Sequence, residues 1–406
     1  MLQRGLLTSL YRAWGARPFV NSLAYAREVR NLSLEEVAAE VGTRPTQIEK
    51  FEAGAASPTT KQWARLSAIY GASVYRLASP ARPNLEPMAL DLRKEHEAPA
   101  EISPRGTRAY FESKAKAETI AGLARALEWK PKLSLPHIKR IVDLDRVVED
   151  VRTALFQGNI SVHASEPERS LHSLRYRAEN AGLFTFVGDV PPEDYRGFFT
   201  ELNTSLSLIF INRKTFSPKA KIFTLLHELA HFVLRAGGIS DPFVLNNDLE
   251  RACNKFASNL ILSEGDLSDL ADRYFSSSDH IASIKLMSAL TLLSQGAMAY
   301  RLLRSRRITP SQYQAWREQV HLVTTYGAED PPASDNDDEL DLEDEREGGQ
   351  YALNVIMDNG YLAVELVKTA HLQGLIDDVD VARILNARGK TRLRTFSIAA
   401  NRVQGY

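Results

Sequence analysis

The spacing of apolar and polar positions changes along the chain and outlines its elements. Across residues 222–234 the apolar run is broken only by Thr224, His227, Glu228 and His231. That pattern predicts a helix buried on nearly every side. Ser217 as N-cap and Pro218 as first helical residue open it, and Gly237 and Gly238 supply a stop. A second helix is expected over residues 250–262, with Phe256, Ala257, Leu260 and Ile261 on its buried face. Residues 184–187, 196–202 and 206–212 read as strands, and residues 171–182 as a helix. Further helices are expected over 110–127, 138–156, 361–372 and 379–385, with one long amphipathic helix over 281–303. At the N-terminal end, residues 21–78 read as a helical array. Its helix at 34–41 opens on Ser33 and Glu36 as a capping box. The next, 45–52, turns Ile48 and Phe51 inward. A fourth, capped by Ser57, carries Trp63, Leu66 and Tyr70. The expected class is α+β.

Composition divides these elements into segments. A length of 406 residues suggests two or three domains. Residues 1–20 form an arm with Arg4, Arg12 and Arg17 and no acid, and residues 21–79 the helical array. Residues 80–105 are a linker broken by Pro80, Pro83, Pro87, Pro99 and Pro104. Residues 106–327 hold the α+β part with helical flanks, and residues 350–406 a small helical module. Between the last two, residues 328–349 are expected to be a solvated acidic linker. Its eleven acids face Arg346 alone, a net −10, which leaves the rest of a chain of net charge −1 at +9. Such a tether could screen a basic face. Cys253 is the only cysteine, so there is no internal disulfide and a reducing, cytoplasmic setting is expected. No apolar run approaches the roughly 20 residues a membrane helix needs, so no membrane partner is expected.

The polar residues of the buried stretch carry the chemistry. His227-Glu228-x-x-His231 places two imidazoles four residues apart, on one face of a helix, where both can grip one metal ion. Glu228 projects to the side and can hold a water as general base. A catalytic zinc takes three protein ligands. A third histidine six residues on is absent, because Gly237 stands there. A carboxylate on the next helix is the alternative: Glu250, with Asp248 and Asp241 as competitors. Asn254, four residues after Glu250, is the candidate for outer support.

The His227–His231 helix, the strand at 206–212 and Glu250-x-x-Cys253-Asn254-x-Phe256-Ala257-x-x-Leu260 together resemble the ImmA/IrrE metallopeptidase family. The family's last motif normally carries Ala where this chain has Cys253, and closes on a Pro that Leu262-Ser263 lacks. Neither change touches a candidate ligand. The resemblance implies a zincin-like peptidase domain holding Zn2+, or Mn2+ in its place, on His227, His231 and Glu250, with Glu228 as base. It implies a protein substrate, a helix-turn-helix repressor cut to relieve repression in a stress, phage or mobile-element response. By resemblance to zinc peptidases, the strand at 196–202 would be an edge that pairs with extended substrate.

Within residues 21–78, Leu34-x-x-Val37-Ala38-x-x-Val41-Gly42, Ile48-x-x-Phe51-Glu52-x-Gly54 and Ser57-Pro58 resemble the XRE-type helix-turn-helix domain. In that motif the second helix enters the major groove, which assigns base contacts to Arg44, Thr46, Gln47 and Lys50. Pro45 and Glu49 depart from a strong reader, and the domain's charges nearly cancel, so protein docking or dimerisation is the alternative to DNA. Lys390, Arg392 and Arg394 around Phe396 mark the last module as a second nucleic-acid contact, a lid or a packing unit. Two rivals to the peptidase reading stand: a non-catalytic DNA-binding regulator that uses the zinc fold for docking or sensing, and the peptidase half of a toxin–antitoxin pair.

Overall fold

The computed structural model describes residues 22–30, 32–72, 74–78, 85, 102–156, 164–192, 194–202, 206–215, 217–234, 247–326, 344–387 and 389–403. The basic arm, the linker up to residue 101 apart from Leu85, Gly237, Gly238, Asp241 and the acidic residues 328–343 lie outside the described residues. The chain divides into two compact units, Met1–Lys116 with Gly188–Arg196 and Ala117–Val187 with Gly197–Tyr406.

The first unit holds five complete helices among its described residues, α1 (Ser22–Val29), α2 (Leu34–Val41), α3 (Pro45–Glu52), α4 (Thr60–Tyr70) and α5 (Val74–Leu77), and the start of a sixth. They close over a core that includes Ala26, Val37, Ile48, Trp63, Leu66 and Ile69. Ser33 and Glu36 form the expected capping box of α2. The cap of α4 is Thr59, not Ser57, because Gln62 three residues on returns the hydrogen bond and completes a capping box. Arg27 on α1 pairs with Glu52 on α3 at 2.7 Å. Helix α6 (Pro104–Ala126) opens six residues before the expected start at Tyr110. Pro104, read as a breaker, is instead its first residue, a position where the missing N–H costs nothing. Ser103 accepts from Gly106 N at 3.2 Å and donates its own N–H to Asp194 at 2.9 Å.

The second unit contains α7 (Leu144–Phe156), α8 (Pro167–Asn180), β1 (Leu183–Gly188), β2 (Gly197–Glu201), β3 (Ser207–Asn212), α9 (Pro218–Leu234), α10 (Asn247–Ile261), α11 (Glu264–Tyr274), α12 (His280–Ala289), α13 (Gln295–Arg304) and α14 (Pro310–Tyr326). Four more helices follow: α15 (Asp344–Asn359), α16 (Tyr361–Leu372), α17 (Asp378–Leu385) and α18 (Gly389–Val403). The class is α+β. The strands form one sheet in the order β1-β3-β2. β3 is buried along its whole length. β2 runs antiparallel to it, with Gly197 opposite Ile211 and Glu201 opposite Ser207. β2 is therefore an edge strand of this sheet. Helix α9 packs on the sheet, with α8 and α10 beside it, and all three share one core with α7 and α11–α14.

Three expectations are corrected here. The helix foreseen over 138–156 begins at Leu144, because Ile138 N donates to Val233 O at 2.9 Å and is tied to the end of α9. The long helix foreseen over 281–303 is two, α12 and α13. Between them Ser288 Oγ donates to Leu293 O at 2.9 Å and Thr291 Oγ1 to Met287 O at 3.0 Å, so side chains take the place of the helical ladder. Ser294 then caps α13 through Ala297 N at 3.2 Å. The acidic linker, foreseen to residue 349, ends sooner, since residues 344–349 already belong to α15.

Candidate metal centre and helix-turn-helix face

The buried stretch forms α9 as its pattern predicts. Ser217 Oγ accepts from Ala220 N at 3.2 Å, and Pro218 is the first helical residue. From Thr224 to Leu234 every residue is buried, the two histidines and Glu228 included. Helical spacing gives α9 two neighbouring rows. Thr224, Glu228 and Phe232 lie toward β2, where a side chain on Gly197 would sit 2.5 Å from Thr224 Cγ2, 2.7 Å from Phe210 O and 3.6 Å from Glu228 Oε1. Two residues on, Phe199 meets the edge of Phe232 at 6.3 Å between ring centroids. His227 and His231 form the other row, turned to α10.

His227, His231 and Glu250 each offer one donor atom, and these atoms all lie within 4.8 Å of one another. The two Nε2 atoms are 3.3 Å apart. The Glu250 carboxylate lies 3.2 Å from Nε2 of His227 and 3.6 Å from Nε2 of His231. Bonds of zinc length around a tetrahedral centre would space the donors by about 3.3 Å. Two imidazole nitrogens and a carboxylate oxygen are also the donor types that zinc takes. The residues therefore fit the ion.

The outer nitrogens of both rings are met from one turn of α10. Nδ1 of His227 lies 3.1 Å from Asn254 Oδ1, and Nδ1 of His231 lies 3.8 Å from Cys253 Sγ. An acceptor on Nδ1 keeps the proton there and leaves Nε2 as the ligand atom. Cys253 is fully buried and forms no disulfide. Of the competing carboxylates, Asp241 lies outside the described residues, as does the side chain of Asp248. Sequence reasoning passed over Gly197, although a glycine inside a strand is itself a sign of close backbone approach.

In the first unit, α2 and α3 form the helix pair. Arg44 is the N-cap residue of α3, with an extended backbone and no side-chain cap. Arg44, Thr46 and Lys50 are exposed, and Gln47 is half-buried. Thr46 and Lys50, four apart, share one outward row, while Ile48 and Phe51 enter the core. Exposed Glu49 lies beside that row.

Residues 178–302 match the family model of the IrrE N-terminal-like domain, a peptidase family, and residues 23–77 match that of a helix-turn-helix domain. The chain carries both domains. The first match runs from the end of α8 into α13 and encloses His227, Glu228, His231 and Glu250. The second spans α1 to α5. No curated protein and no solved structure matches the chain. The two families are those that the His227–His231 helix and the α2–α3 motif resemble, and together they give a protease–regulator arrangement. Among the described residues no helix is long and apolar enough to cross a membrane.

Proposed function

We propose that the chain is a zinc-dependent endopeptidase in which His227, His231 and Glu250 hold the metal, Asn254 orients His227 and Glu228 is the general base. The observation that carries this reading is the spacing of three nitrogen and oxygen donors beside a buried glutamate. A bound zinc ion, or manganese in its place, supplies Lewis acidity that polarises a carbonyl and makes water acidic enough to attack near neutral pH. Glu228 takes the proton of the attacking water and delivers it to the leaving amine. Its burial withholds competing solvent and strengthens that exchange. As an edge strand of the sheet, β2 offers main-chain groups to an extended peptide, beside Glu228 across Gly197.

The helix-turn-helix domain supports DNA as a partner, with Arg44, Thr46, Gln47 and Lys50 as the groove-facing set. One chain holding both domains suits a cytoplasmic protease acting on transcription. Its substrate class is then a helix-turn-helix repressor, cut once to lift repression. Incubation with such repressors and zinc, read by mass spectrometry, tests this. Glu228→Gln should keep the zinc and lose about 10²–10⁴-fold of the cleavage rate or more. Glu250→Ala should lose the zinc, and full metal occupancy in that variant would move the third ligand to Asp248 or Asp241. Normal regulation in cells carrying Glu228→Gln, with zinc bound, would favour the non-catalytic regulator.

A further inference from the structure

Outside the metal centre, the two charged side chains buried deepest among the described residues are Arg175 and Glu179 on α8, each 2% exposed. Both reach residues far beyond the matched domain. Arg175 donates to Thr185 Oγ1 at 3.1 Å, to Thr185 O at 2.6 Å and to Met357 O at 2.7 Å. Glu179 accepts from Thr185 Oγ1 and from Leu362 N at 2.8 Å. The helix Glu179 meets, α16, has Gly360 as N-cap and so no capping side chain of its own. Glu179 fills that role from another helix, accepting from an N–H of the first turn that would otherwise be an orphan. Arg175 meets a carbonyl in the last turn of α15, where positive charge is favoured. The corner between α15 and α16 is thus gripped at both helix ends.

The corner is shaped for this grip. Gly360 has φ +78°, and a Cβ there would fall on Glu179 Oε1 and lie 3.1 Å from Thr185 O. Tyr361 meets Tyr176 of α8 edge-on at 5.8 Å, and Asp358 pairs with Arg213 beyond β3. The adjoining face of α8, with Leu171, Leu174 and Ala178, enters the core that holds Leu225 and Leu229 of α9. One helix therefore carries the grip on one row and backs the metal-centre helix with the next.

We propose that Arg175 and Glu179 are positioning residues for the His227–His231–Glu250 centre: they latch α15–α18 onto α8, and α8 so held keeps α9 in register. The proposal rests on the metal reading given above. It makes the C-terminal helices part of the peptidase, neither a lid nor a nucleic-acid arm. Arg392 of that module is itself taken up by an ion pair with Asp378.

The test uses the full-length chain, hydrogen exchange at the amides of Val364 to Val367, and zinc affinity by competition with a chromophoric chelator. Gly360→Ala changes a residue outside the matched domain, so that domain keeps its own sequence. It should strip protection from α16 and weaken zinc binding by about 2- to 30-fold, the range of energetic coupling through packed elements. Glu179→Ala should do the same, whereas Glu179→Gln keeps an acceptor oxygen and should stay near wild type. Zinc affinity unchanged after α16 is released overturns the proposal and leaves the metal centre standing. Protection kept in both Gly360→Ala and Glu179→Ala overturns the latch. A wild-type chain that takes up no zinc overturns the metal reading, and this proposal with it.

Discussion

Asn254 Oδ1 lies 3.1 Å from Nδ1 of His227, while the preceding residue, Cys253, places its Sγ 3.8 Å from Nδ1 of His231. Neighbouring residues of α10 thus address the two histidines of α9 separately. The amide oxygen is a strong acceptor and the sulfur a weak one, so the two rings are held unequally.

Loss of the stronger contact should show in metal binding. Asn254→Ala is expected to weaken zinc affinity by about 10- to 100-fold with the helical content unchanged. Chelator competition alongside circular dichroism checks this, and unaltered affinity would remove Asn254 from the centre.

Gly197 leaves no room for a side chain. In Gly197→Ala the new methyl would meet Thr224 Cγ2 at 2.5 Å and the Phe210 carbonyl at 2.7 Å. The carbonyl belongs to the paired strand and cannot swing aside. Overpacking of this kind typically costs about 1–3 kcal/mol. Thermal unfolding should show it, and cleavage should fall as well because the strand next to Glu228 shifts.

Lys50 stands on the exposed row of α3. If residues 22–78 bind DNA, Lys50→Ala should weaken binding across sequences and lower the salt slope by about 1. Titration of labelled duplexes at several salt concentrations reads this. No salt-sensitive binding by the wild-type chain would leave docking as the role of the domain.

Burial pushes the Glu179 carboxyl up from its ordinary 4.5 to about 7, against the pull of Arg175 and the donors from Thr185, Tyr361 and Leu362. Asp358 and Arg213 are the further charges at this corner. A folded-state value above the unfolded one means that the fold holds a proton the unfolded chain has released. The stabilisation is full below about 4.5 and is lost as pH rises through about 7. Comparing melting temperatures at about pH 5 and about pH 8, wild type should lose stability relative to Glu179→Gln. Parallel profiles for the two proteins would refute the titration.

How much of this was legible in the sequence follows from the range of the interactions involved. Helix α9 and its polar residues could be read because an apolar run, a cap and a four-residue spacing are all local. The capping box at Ser33 was local too. Thr59-x-x-Gln62 carries the same local signature as Ser33-x-x-Glu36, but Ser57 before Pro58 offers a competing start two residues earlier. The break at residues 290–294 was invisible because apolar spacing continues through it, and only Ser288 and Thr291 turning onto the backbone reveal it. The grip of Arg175 and Glu179 left no local trace: charged residues four apart on a helix read as a solvated face. Their partners at Met357 and Leu362 lie 182 and 183 residues away.

Glu250, Cys253 and Asn254 all belong to a single turn of α10. A carboxylate for the metal and the outer contacts of both histidines therefore rise or fall with the winding of that turn. Under the metal reading, ligand binding and the ordering of that one turn are linked, each favouring the other, while Phe256, Ala257 and Leu260 hold the rest of α10 in the core. Under that reading a change on this turn touches the carboxylate ligand and the outer contacts of both histidines together, whereas the histidines themselves stay fixed by the buried helix α9.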